Sequence, residues 1–195
     1  ILLSTRIQRV LAESHSGTSV SIEEQGTRLS ELGPRAIPAL FELLQAEPPP
    51  PFLASASAIS PATTRVLDPQ QERVVVAALQ KFRRAQLVQP LTEILLGTTR
   101  VRPRADGLRV LGAVGDGRDL PLLCRSIAPI AANGDVDPAL APPFREAAAA
   151  ILRRDITALF GVQSLLRGLP GATRLCMVQA LADLSTVPAL EILSQ

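Results

Sequence analysis

The sequence predicts an all-α fold: an α-solenoid in which about five helical hairpins stack into a right-handed superhelix. Two observations carry that prediction. Apolar residues recur at i, i+3, i+4 and i+7, the spacing that lines one face of a helix. That face also repeats along the chain. Ile37, Leu40, Phe41 and Leu44 make one copy, and Leu120, Leu123, Cys124 and Ile127 make another. Leu87, Leu91 and Ile94 keep three of the four places, Ile156, Leu159 and Phe160 keep three, and Val187 and Leu190 keep two. The copies start at 37, 87, 120, 156 and 187, so the gaps are 50, 33, 36 and 31 residues. A period in the thirties is the mark of stacked helical repeats, none of which buries its apolar face alone. The whole of 1–195 is expected to be one such domain, with a proline-rich insertion at 47–61 that lengthens the first gap and an irregular loop at 129–143.

In chain order, residues 1–13 read as a helix with Leu3, Ile7, Val10 and Leu11 on one stripe. Ser21 is placed to cap the next helix, and Glu24 three residues on completes a capping box. That helix is expected to stop at Gly33, and Pro34 opens its partner. Pro48 to Pro51 are consecutive, which favours an extended segment exposed between repeats. Asp68-Pro69 is a cap followed by proline at the first helical position, predicting a helix to about Arg84. Ala85 to Leu96 follows, closed by Gly97. The stretch Gly107 to Ala128 predicts helix, tight turn, helix. Gly115 and Gly117 are expected to supply positive φ at the turn, and Asp116 or Asp119 to cap the second helix. Residues 144–153 carry four consecutive alanines, 147–150, suited to close helix approach. Ile156 to Leu166, Arg174 to Leu184 and Val187 to Ser194 complete the set.

The segment Val114-Gly115-Asp116-Gly117-Arg118-Asp119-Leu120-Pro121-Leu122-Leu123 resembles the short HEAT repeats of the phycobilisome-lyase type. Leu32-Gly33-Pro34-Arg35-Ala36-Ile37-Pro38-Ala39-Leu40 is similar to the same repeat, and Leu184-Ser185-Thr186-Val187-Pro188-Ala189-Leu190 is a weaker copy. The resemblance implies that the first helix of each pair lies on the convex side and the second on the concave side. It also implies that Asp and Arg at the turns, here Asp116, Arg118 and Asp119, bridge neighbouring repeats. Such repeats serve scaffolds, lyases and nucleic-acid binders alike, so the likeness implies a fold and leaves function open.

Composition narrows the classes. No apolar run reaches the roughly 18 residues that span a bilayer, so no membrane insertion is expected of this segment. There is no Trp or Tyr and there are five Phe, which argues against a stacking platform for bases. The formal net charge is +2, and the one lysine is Lys81. Cys124 and Cys176 lie on helical faces without metal-site spacing and are expected as buried thiols. The chain begins at Ile1, which implies a fragment or a processed product, and no targeting segment assigns a compartment.

The leading functional reading is a non-catalytic scaffold or adaptor that takes a protein partner on its concave surface. The alternative rests on charge. From Arg73 to Arg125 ten basic residues face four acidic ones, whereas residues 1–70 hold five basic and seven acidic. Arg83, Arg84, Arg100, Arg102, Arg104 and Arg109 would then bind nucleic acid or another anionic ligand. Asp135 and Asp137 alternate near Asn133, but a calcium loop needs more oxygen ligands. His15, flanked by Ser14 and Ser16, lacks any nucleophile motif. No catalytic residue, metal or cofactor is assigned. An enzyme of lyase or glycosylase type would need a carboxylate of raised pKa in a cleft, and the sequence nominates none.

Overall fold

The computed structural model describes residues 2–13, 21–46, 66–128 and 135–194. The expected proline-rich insertion at 47–61, His15 with its serines, and Asn133 lie outside them. Among the described residues about 80% are helical and none is in a strand. They divide into two compact units, 1–82 and 83–195.

In the first unit α1 spans Leu2–Glu13, α2 Ile22–Ser30, α3 Ile37–Gln45 and α4 Pro69–Leu79. Ser21 Oγ accepts from Glu24 N–H at 3.1 Å and satisfies an orphan donor at the start of α2. Asp68 caps α4 with a full capping box, its Oδ1 accepting from the N–H groups of Gln70 and Gln71 while Asp68 N–H donates to Gln71 Oε1. The other end of Gln71 donates through Nε2 to Leu11 O at 3.1 Å, tying α4 to α1. α2 packs on α4 so closely that a Cβ on Gly26 would lie 2.9 Å from Ala77 Cβ. Gly33 takes φ 80°, a left-handed conformation that suits glycine, and opens a 3-10 turn at Pro34–Ala36 that leads into α3. The predicted face of α3, Ile37, Leu40, Phe41 and Leu44, is buried. α2 and α4 both end short of the predicted limits, at Ser30 and Leu79.

In the second unit α5 spans Arg84–Gly97, α6 Val101–Val114, α7 Leu120–Ser126, α8 Ala141–Arg154, α9 Leu159–Gly168, α10 Gly171–Leu184 and α11 Val187–Leu193. α6 packs on α8 and α8 on α10, while α5 meets α7 and α9 meets α11. Two glycines set the spacing. A Cβ on Gly107 would lie 2.9 Å from Ile94 Cγ2 of α5, and one on Gly112 would lie 2.7 Å from Ala147 Cα of α8. The alanine run thus does what its small side chains permit: Ala147, Ala148 and Ala149 are buried. α8 starts at Ala141, inside the stretch expected to be irregular.

Neither Gly115 nor Gly117 takes a positive φ, contrary to the expectation for this turn. Gly117 is needed for room, since a Cβ there would meet Ala158 Cβ at 2.5 Å and Asp155 Oδ2 at 2.7 Å. Asp116 caps the 3-10 turn Gly117–Asp119, accepting from Arg118 N–H at 2.9 Å.

The Ile156 copy is displaced by three residues. α3 and α7 each begin directly after a 3-10 turn, at Ile37 and Leu120, and α9 likewise begins at Leu159 after the turn Ile156–Ala158. Leu159 therefore corresponds to Ile37 and Leu120, and Val162 to Leu40 and Leu123, and both are buried. Ile156 falls in the turn and is 54% exposed, while Phe160 takes the place of Pro38 and Pro121 and is 89% exposed. Leu190 on α11, also expected on a core face, is 53% exposed.

Candidate functional site

The six arginines named from the sequence are used in different ways. Arg83 is exposed, and its backbone N–H donates to Gln86 Oε1 at the start of α5. Arg84 donates through Nε and Nη2 to Asp119 Oδ2 and Oδ1 at 2.6 and 2.7 Å, with Asp116 Oδ2 3.5 Å from its Nε. Asp119 also accepts from Asp116 N–H at 3.0 Å. Burial works to raise the Asp119 pKa. The Arg84 and Asp116 hydrogen bonds, with the charges of Arg84 and Arg118, outweigh it and hold the carboxyl below its usual range.

A similar link joins the next turns. Asp155 Oδ2 accepts from Gly117 N–H at 3.1 Å, and Asp155 Oδ1 from Thr157 Oγ1 at 2.6 Å. Arg154 donates to the carbonyls of Gly112 and Ala113. Asp119 and Asp155 therefore each tie one element of the second unit to another, whereas Arg118, expected to bridge as well, is exposed and pairs with Asp116 of its own turn.

Arg109 pairs with Asp106 Oδ1 at 2.6 Å. Asp106 is buried and its Oδ2 has no hydrogen-bond partner among the described residues. Burial raises its pKa, with Arg109 and Arg102 pulling the other way. Arg100 and Arg102 are engaged as well.

Arg104 differs from the rest. It sits on α6 with only 5% of its surface exposed, and its Nε has no hydrogen-bond partner among the described residues. Burial lowers its pKa, and the charge of Asp137 partly offsets that. The side chain lines a cleft of about 680 Å³. Val101 stands beside it on α6, Ile127 closes the end of α7, Leu140 precedes α8, and Leu175 and Cys176 come from α10. Asp135 and Asp137, both exposed, are at its edge. Burial raises the pKa of the Cys176 thiol, and the charge of Arg145 on α8 works against it. Asp106, the carboxyl of raised pKa, is not among the cleft residues.

Sequence reasoning placed Arg104 in a basic set but not in a buried position. The available signal was local: Pro103, Ala105, Gly107 and Leu108 around it are apolar or small, and all are buried. The opposite wall on α10 gave no signal, because Leu175 and Gln179 acquire meaning only when α10 lies across from α6. Cys124 and Cys176 are free buried thiols, as expected. Among the described residues no group of three His, Cys, Asp or Glu could hold a metal ion, and no helix is long and apolar enough to cross a membrane. Compared with known proteins, the chain matches no family model, no curated protein and no solved structure.

Proposed function

We propose that this chain is a non-catalytic protein-binding scaffold, built as a HEAT-like α-solenoid whose second helices carry the partner surface. The observation that carries the reading is Phe160. At 89% exposure it is a large aromatic side chain in water, at a position where α3 and α7 hold proline. Ile156 is exposed four residues before it, and Leu190 is exposed on α11, which packs against α9. Exposed apolar side chains grouped on adjoining elements are the usual material of a protein interface. The exposed face of α9 continues through Gly161, Ser164, Arg167 and Gly168. The succession α6, α8, α10 of first helices supports the stacked-repeat reading.

Nucleic-acid binding through the arginines has less support. Arg84 and Arg109 are held by the buried carboxylates of Asp119 and Asp106, which leaves fewer free charges to neutralise phosphates.

The test is a photo-crosslinking amino acid at position 160 of the full chain, expressed in its native cells, with the same group at exposed Glu42 as control. A discrete protein adduct at 160 that disappears with Ile156→Asp and is absent at 42 supports the reading. Equal labelling at both positions, or none at 160, sinks it.

A further inference from the structure

The cleft between α6, α8 and α10 holds a buried cation with no hydrogen-bonded counter-ion among the described residues. Arg104 Nε makes no hydrogen bond among the described residues, and the side chain is almost fully enclosed. A guanidinium stays protonated at any physiological pH, so an unpaired one in an apolar enclosure is costly to keep. The charge of Asp137 acts on it, and Asp137 Oδ1 accepts from Ala139 N–H at 2.9 Å.

We infer that this cleft binds a small monocarboxylate with an apolar body, the carboxylate seated on Arg104 and the body against Val101, Ile127, Leu140 and Leu175. Three features carry the assignment. The guanidinium fork matches the two oxygens of a carboxylate, and the bidentate pair is both strong and directional. The volume, about 680 Å³, suits a small organic molecule, and the walls away from Arg104 are largely apolar. Asp137 at the edge repels a dianion more than a monoanion, which favours a carboxylate over a phosphate monoester. A bound carboxylate would also counter the effect of burial, which lowers the Arg104 pKa. The site is separate from the exposed face of α9, and it stands or falls independently of partner binding there.

The experiment is isothermal titration of the full chain at neutral pH with hexanoate, hexanol and hexyl phosphate. Hexanoate is expected to saturate one site with a Kd of about 1 mM or tighter. Hexanol, with the same body and no charge, is expected to bind about tenfold more weakly, and hexyl phosphate more weakly than hexanoate. Arg104→Met removes the buried charge and is expected to weaken hexanoate binding about tenfold while the protein still melts cooperatively. Leu175→Glu places a carboxylate on an exposed part of the wall and leaves Arg104 intact. It is expected to weaken hexanoate about fivefold with the melting temperature unchanged, and it decides the matter if Arg104→Met fails to fold. Absence of saturable hexanoate binding, equal binding of hexanol, tighter binding of hexyl phosphate, or undiminished hexanoate binding in either variant would overturn the assignment.

Discussion

One guanidinium takes both carboxylate oxygens of Asp119: Arg84 Nε and Nη2 donate to them at 2.6 and 2.7 Å, across 35 residues of sequence. The pair fastens the first turn of α5 to the 3-10 turn that precedes α7. Asp119 is nearly enclosed whereas Arg84 is about one-third exposed, so the two partners do not stand to lose equally. Removing the carboxylate charge leaves Arg84 access to water. Asp119→Asn is expected to cost about 2 kcal/mol in urea unfolding, and Arg84→Gln somewhat more, since it strands a buried carboxylate. The double variant should lose less than the two singles combined, and strict additivity would show that the pair is not coupled.

The two enclosed aspartates give opposite pH dependences. Asp119 is held below its ordinary pKa, so its contribution is full above about 3.9 and fades as pH falls through the lowered value. Asp106 is raised, chiefly by burial, so its folded form favours the proton. Stability is therefore lost on the way up, from about 3.9 through the raised value. Urea midpoints taken from about pH 2 to about pH 8 should show Asp119→Asn falling further behind the wild type as pH rises, and Asp106→Asn gaining on it. Parallel curves for wild type and both variants would contradict this.

Glycine to alanine should have opposite signs at two helical positions. At Gly112 the new methyl would meet Ala147 Cα at 2.7 Å, a backbone atom that cannot turn aside. Gly112→Ala is expected to cost about 1–3 kcal/mol through overpacking of α6 on α8. At Gly161 nothing lies within 4 Å of the built Cβ, and Gly161→Ala is expected to stabilise by about 0.5–1 kcal/mol from helix propensity. Thermal unfolding of the two variants checks both signs.

Two phenylalanines test burial against exposure. Phe144 on α8 is fully buried, and Phe144→Ala is expected to cost about 3–5 kcal/mol. Phe160→Ala should change stability by no more than about 0.5 kcal/mol. A destabilisation at 160 comparable with that at 144 would mean that its ring is covered in solution.

The thiols should be silent in the folded protein. Burial pushes the Cys124 thiol up to about 12, and it pushes Cys176 up as well, against the charge of Arg145. Since the thiolate is the reactive form, neither should react with a disulfide reagent at mildly alkaline pH until denaturant is added. Cys176, on the cleft wall, should react before Cys124 at intermediate denaturant. Immediate reaction of Cys124 in the native protein would refute its enclosure.

Several features of this protein follow from short-range chemistry, and those the sequence determined. Ser21 and Asp68 cap helices because a side-chain oxygen two or three residues from an unpaired N–H needs no distant partner. The faces of α3 and α7 are buried as their spacing requires, as are Leu87, Leu91 and Ile94 of α5. The tertiary structure decided which apolar side chains would remain in water. Ile156 sits in a 3-10 turn of three residues per turn, so the 3.6 period cannot be carried through it, and the core face restarts at Leu159. That shift turns Ile156 and Phe160 outward. It also decided what each arginine does. Arg84, Arg104 and Arg109 look alike in the chain, but two meet carboxylates while the third meets an apolar cleft. Periodicity is a property of one helix, whereas the charge and cover a side chain meets are set by whichever helix packs across from it.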